Sequence, residues 1–277
     1  MPAESTTPTV SAESPGVWWR LRYVYRRRLG ALLKAVRLHR WSCGDGSSDG
    51  WQRKSRRPLS EWLLPIGNLY LAVQRAPSRV LSARDWLRRE QLVAEALSRE
   101  VGIDPDRRAL TMRWESGSSL RQILASGASI EEKLAASQLA AAALRRLHAL
   151  PVVDLPFCDS QFSHGDATCD NVIVDLAAET AGWIDFDTQH RADLSHDDRR
   201  ADDLCVLLFS TAGCLPEHHA AECVAAVAAG YDAPASICGL ARTLHADRCP
   251  TVFQLAQAPL SARRFEKVKN AIRDMSR

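Results

Sequence analysis

The sequence predicts an α+β protein in two parts, a smaller one with a sheet and one helix, then a mainly helical one. Three observations point there. Strand-like runs and one amphipathic helix fill the chain to about residue 114 and mostly helical patterns follow, an order unlike one alternating α/β sheet. The length, 277 residues, suits one large domain or two small ones. The composition, 46% hydrophobic and 25% charged, is that of an ordinary globular protein and excludes a disordered chain, a fibrous repeat and a coiled coil.

Residues 1–15, rich in Pro, Ser, Thr and Glu, bury too little to offset ordering and read as a disordered tail. The first part then spans 16–114 and the second 115–277. From Trp18 to Trp41, Leu21, Tyr25, Leu29, Leu32 and Val36 recur at helical steps with arginines between them, which predicts a basic amphipathic helix. Residues 1–60 carry twelve Arg and Lys against four acids, and residues 61–277 carry twenty-four against twenty-nine. The helix over 18–40 therefore either packs its stripe on the domain or makes a peripheral contact with an anionic surface. No specific nucleic-acid motif accompanies it.

Residues 42–50 read as a loop, and Glu61–Val73 as strand, turn and strand punctuated by Pro65 and Gly67. Ala83–Glu100 reads as a helix capped by Ser82, Ala109–Trp114 as a strand, and the Ala- and Leu-rich stretch from Ile130 to Leu150 as a buried helix. No apolar run approaches the roughly 20 residues of a membrane span, and the N-terminus lacks the apolar core of a secretory leader. Eight cysteines without a C-x-x-C pair suit reduced thiols, so a cytoplasmic location is expected. Cys214, His218, His219 and Cys223, then Cys238, His245 and Cys249, are zinc-capable types, but their spacings match no standard finger.

The stretch Phe162–Leu208 carries the chemistry. His164-Gly165-Asp166 is followed by Asn171, then by the apolar strand Val172–Val174. After a turn, Trp183-Ile184-Asp185-Phe186-Asp187 reads as a second strand ending in acids. A hairpin of this kind brings Asn171 and Asp185 to one mouth. Amide and carboxylate oxygens are the hard ligands that Mg²⁺ prefers. Asp166 can orient an attacking hydroxyl and accept its proton, and phosphoryl transfer asks little more than such positioning and charge neutralisation.

The H-x-D-x-x-x-x-N run followed by D-F resembles the catalytic-loop and metal-loop signature of protein kinases. In the form His164-Gly165-Asp166 with Ile184-Asp185-Phe186-Asp187 it is most similar to the aminoglycoside phosphotransferase and choline kinase branch of the kinase-like superfamily. The resemblance implies a two-lobed fold binding ATP and Mg²⁺, with Asp166 as base and Asn171 and Asp185 as metal ligands. It implies that His164 and Asp203 support the catalytic loop and that Glu90 pairs with a phosphate-binding cation. It implies also that Ala109–Gly117, with Met112 and Trp114, forms the hinge against the adenine. It covers about residues 60–210.

Two departures stand out. Only Lys34 and Lys54 precede Glu90, and neither lies in the predicted strand Leu69–Val73, so Ala72 occupies one lysine register and Arg75 another. Arg75 is then the candidate phosphate contact. No G-x-G-x-x-G loop is present; Gly44–Gly50 or Gly67 could serve. Thr168 stands where protein Ser/Thr kinases commonly carry Lys, and no A-P-E motif follows, which favours a small-molecule hydroxyl acceptor. The alternatives are a protein or lipid-linked sugar acceptor, or a pseudokinase that binds nucleotide or acts as a scaffold. Asp193, Asp197, Asp198, Asp202 and Asp203 either attract a cationic acceptor or cap a helix.

Overall fold

A computed structural model describes residues 36–42, 50–56, 58–73, 76–106, 108–113, 116–151, 162–233, 240 and 261–275. The chain divides after Lys34, and every described residue lies in the unit from Ala35 to Arg277. Most of the basic segment 18–40, together with Arg75, Trp114 and the sequence 43–49, falls outside the described residues.

An antiparallel sheet is made of β1 (Val36–Ser42), β2 (Gly50–Arg56), β5 (Ala109–Arg113) and β4 (Val101–Asp104), in the spatial order β1-β2-β5-β4. Residues 36–41, expected at the end of a helix, are strand. Val36 and Trp41 suit a pleated surface, and a full ladder with β2, Val36 opposite Arg56 and Trp41 opposite Trp51, satisfies the backbone. On β2 the buried residues are Gln52, Lys54 and Arg56, so its inward face is polar.

The segment expected to be strand, turn and strand is instead one helix, α1 (Pro58–Val73). Its inward stripe is Leu64, Gly67 and Leu71, while Trp62, Ile66, Leu69 and Val73 on the outer face are exposed. A helix that is apolar all round hides its 3.6-residue period, which is why Pro65 and Gly67 looked like turn residues. Gly67 is thus a packing residue and not a phosphate loop.

β3 (Ser78–Val80) leads into α2 (Ala83–Ala96), capped by Ser82 as expected, with Asp85 N donating to the Ser82 hydroxyl. The helix ends four residues before Glu100, because Ser98 takes a left-handed backbone (φ 53°) that turns the chain into β4. Trp86 and Leu87 from α2 pack with Leu81, Leu110 and Met112 in a small apolar cluster.

The remaining body is mainly helical. β6 (Ser118–Ser119) and α3 (Leu120–Ala125) precede α4 (Ile130–His148), which begins in a Ser129–Glu132 capping box. β7 (Val172–Asp175) and β8 (Thr180–Trp183) form the expected hairpin, and β6 adds to its edge. β9 (Thr188–His190) returns to pair with β3. α5 (His196–Cys214) and α6 (Ala220–Tyr231) follow, and α7 (Ala262–Met275) closes the described chain. Alanines 136, 140, 141 and 143 of α4 are buried in the large core, and a Cβ at Gly230 of α6 would lie 2.1 Å from the Gln138 carbonyl oxygen. Small residues permit that close helix pair. Among the described residues no helix is long and apolar enough to cross a membrane.

Candidate active site

The turn from His164 to Asn171 is held from three sides. From α5, Asp203 accepts the His164 amide (2.6 Å) through Oδ2 and the Gly165 amide (2.9 Å) through Oδ1. From α2, Arg89 donates to the carbonyls of Ser163, His164 and Thr188 and lies over the Phe162 ring, 4.6 Å from its centroid. From the segment after β8, the Ile184 carbonyl lies 3.0 Å from His164 Nε2. His164 Nδ1 accepts the Asp166 amide (3.2 Å), so the ring bridges the turn to the segment carrying Asp185. Burial pushes the His164 imidazole down to about 4, and a neutral ring can accept at Nδ1 while donating at Nε2.

Gly165 takes φ 87°, and a Cβ there would stand 3.1 Å from the Gln189 backbone on β9. Both facts call for glycine. Asp203 is buried with His148, whose Nε2 lies 2.9 Å from Oδ2 and whose Nδ1 lies 2.7 Å from the Tyr231 hydroxyl. Burial works against the Asp203 charge, but the His190 and His148 contacts outweigh it and hold the carboxyl below its ordinary range. His190, Asp202 and Asp203 form the one group of three potential metal ligands found among the described residues. Asp203 already accepts two backbone amides there, and His190 sits between the Ser163 hydroxyl and Asp202, so we read the group as a brace for the turn.

Asn171 Nδ2 donates to the Asp166 carbonyl (2.9 Å) and carboxylate (3.0 Å), which fixes the Asp166 side chain and leaves the amide oxygen as an acceptor. The Ile184 amide donates to the Asn171 carbonyl at the base of the hairpin, so Asn171 and Asp185 share one end of it, as the sequence suggested. The second strand is shorter than expected. It stops at Trp183, and Asp185 takes a left-handed backbone (φ 70°) that no ladder accommodates.

The cation beside Glu90 is Lys54, outside the predicted strand Leu69–Val73. It is buried on β2, with Nζ 3.4 Å from Glu90 and 3.5 Å from Asp185. Glu90 therefore has a lysine partner, on a strand paired directly with β5, where Lys54 stands opposite Leu110. Glu90 also accepts the Trp86 indole (3.1 Å) and the Phe186 amide (3.3 Å), which joins α2 to the Asp185 segment. Burial disfavours the Lys54 charge, yet the Glu90, Asp185 and Asp187 carboxylates outweigh it and raise its pKa. Asp187, to which the sequence reading gave no role, is half-buried near Asp185, and desolvation followed by that like charge pushes its carboxyl well up.

Met112 is buried with Trp86 and Leu87, and it stands opposite Gln52 in the β2 ladder. Of the acids considered for a cationic acceptor, Asp193 pairs with Arg191, Asp198 with the capping Ser195, Asp202 with His190 and Asp203 with His148. Capping and bracing account for the last three, and Asp193 makes an exposed ion pair. Of the zinc-capable residues, Cys223 is buried in α6, and Cys238, His245 and Cys249 lie outside the described residues. Neither a family model nor a curated protein matches the chain.

Proposed function

We propose that the protein is an ATP-dependent phosphotransferase of two-lobed, kinase-like fold that phosphorylates a hydroxyl of a small molecule. The observation that carries this reading is the buried Lys54–Glu90 pair with Asp185 at 3.5 Å from the same ammonium. A buried cation between two carboxylates costs desolvation that packing alone would avoid. Its setting suits a nucleotide phosphate, which would meet the Lys54 charge beside a carboxylate able to take a metal. The Asn171 amide oxygen and the Asp185 carboxylate are the hard oxygens Mg²⁺ accepts, and they end the same hairpin. The donor set fits that ion.

In this reading Asp166, fixed by Asn171, accepts the proton of the acceptor hydroxyl as the new P–O bond forms. Lys54 neutralises phosphate charge, and Glu90 orients Lys54 while tying it to the Asp185 segment. Mg²⁺, held by Asn171 and Asp185, would supply charge neutralisation at the transferring phosphoryl group. The pseudokinase alternative rested on a missing lysine, and Lys54 removes that ground. A small acceptor is supported by the short span from Asp185 to Asp202, 17 positions on, which includes no A-P-E segment. Transfer from γ-labelled ATP to a panel of amino alcohols, sugars and aminoglycosides tests it. A labelled small product, lost in Asp166→Asn by the roughly 10²–10⁴-fold typical of a missing base, is expected. Label appearing only on protein, or equal turnover by the variant, would overturn it.

A further inference from the structure

The turn that carries Asp166 and Asn171 also carries a thiol, Cys169, whose Sγ lies 4.0 Å from that of Cys214 at the end of α5. The two residues are 45 positions apart, and a bond between them would link the turn to the helix that braces it. Both thiols share one acceptor, the Ser210 carbonyl, at 3.6 Å from Cys169 and 3.3 Å from Cys214. The Cys169 amide donates to the Ser210 hydroxyl (3.1 Å), and its carbonyl accepts the Arg121 amide (2.9 Å). Cys169 is buried, whereas Cys214 is partly open to solvent. Arg121, anchored by Asp170 at 2.6 Å, directs a guanidinium nitrogen at the Cys214 sulfur from 3.4 Å.

A cation beside a partly exposed sulfur, with a second thiol behind it, is the arrangement of an attacking and a resolving cysteine. We propose that Cys169 and Cys214 are a redox site, closed to a disulfide by a peroxide and reopened by a dithiol. The Cys214 thiolate attacks a peroxide oxygen, the O–O bond breaks, and sulfenic acid forms as hydroxide leaves. The Cys169 thiol then attacks the Cys214 sulfur, the S–O bond breaks, and its proton leaves with the departing oxygen as water. Two thiols and one hydrogen peroxide give one disulfide and two waters, each sulfur losing one electron to the peroxide oxygens. The Cys169 thiol, ahead of the Arg121 charge, lowers the Cys214 pKa to about 7, which suits the order of attack. Cys223, whose thiol burial pushes up to about 12, is a poor competitor.

The sulfurs must approach from 4.0 Å to the roughly 2.05 Å of a disulfide. That pull falls on a residue three positions after Asp166 and two before Asn171. Given the phosphotransfer reading, on which this consequence rests, oxidation displaces base and metal ligand together. A 1 Å misplacement can cost about 10²-fold in rate, so a loss of at least about ten-fold in turnover is expected, with weaker Mg²⁺-dependent ATP binding.

The full-length reduced protein is treated with hydrogen peroxide, alkylated, cleaved before Asp, after Glu and after Phe and Leu, and analysed by mass spectrometry without reduction. With the Leu215–Pro216 bond resistant, those cuts isolate Cys169 in 166–169 and Cys214 in 210–217, apart from Cys223. The expected result is these two peptides joined, two hydrogens lighter than their sum, and separated by dithiothreitol with recovery of ATP binding. Cys214→Ser should bind ATP normally and keep that binding after peroxide. Separately alkylated peptides, or Cys214 oxidised to sulfinic acid with Cys169 free, would overturn the thiol pair. A formed cross-link with unchanged ATP affinity would overturn its control of the site. Reduced protein that binds no ATP would overturn the proposed function, while the cross-link still decides the thiol pair.

Discussion

Lys54 shows what a single buried residue can hide from a sequence. Its strand, Gly50–Arg56, presents Gln52, Lys54 and Arg56 inward, so the alternation that betrays a strand is written in polar residues. A search for apolar alternation passes over it. The ion pair should be visible in stability. Lys54→Met leaves Glu90 buried beside an apolar group, and breaking a buried pair costs about 3–5 kcal/mol. Urea denaturation is expected to show that loss, with Lys54→Met/Glu90→Gln losing less than the two single changes together. Additive losses would mean that the pair is not coupled.

Gly165 and His164 extend the residue-scale account. Gly165→Ala must strain a φ of 87° and push on β9, so a lower midpoint in denaturant is expected; an unchanged midpoint would contradict the close approach to Gln189. His164 stays neutral in the fold down to about pH 4, whereas an unfolded histidine takes a proton near 6.5. Between those values the unfolded chain binds more protons, so the His164 contribution to stability falls as pH drops through that window. Asp187 and Asp202, whose carboxyls burial pushes up, act in the opposite sense, so the contribution is read as a difference between variants. His164→Gln should lose less stability than the parent between pH 6.5 and 4. An NMR titration placing the His164 ring near 6.5 would contradict its burial.

At the scale of elements, the legible ones were those whose apolar period reports burial. α2 and α4 carry capping serines and helical stripes, and the β7–β8 hairpin carries a strand flanked by turn residues. β1 and α1 were misread because a short basic strand can imitate a helix end, and an apolar helix with Pro65 inside can imitate two strands. β4 was not anticipated; only the Ser98 turn separates it from α2, and its four residues are too short for a pattern to register. Arg89 is the tie between elements that no motif announced. It places a guanidinium from α2 among the carbonyls of the His164–Asn171 turn and β9, and Arg89→Ala leaves those carbonyls without it. We expect faster amide exchange across 163–166 and a loss of roughly 3 kcal/mol or more. Unchanged exchange there would mean that the turn is held without α2.

For the molecule as a whole, the closeness of the His164–Asn171 turn to the Asp185 segment was legible because their residues lie within 22 positions of one another, from His164 to Asp185. What completes the site comes from far along the chain. Lys54 lies 131 positions from Asp185, and Cys169 lies 45 from Cys214, separations at which one sequence carries no pairing signal. The assembled arrangement therefore rests on one claim, that Lys54, Asp185 and Asn171 together receive a metal-bound nucleotide. The measurement that tests it most directly is calorimetric titration of ATP into the protein, with and without Mg²⁺, for the parent and for Asp185→Ala. The account predicts that Mg²⁺ tightens ATP binding in the parent and that Asp185→Ala removes that gain. Equal ATP affinity with and without Mg²⁺, or the same gain in Asp185→Ala, would contradict it.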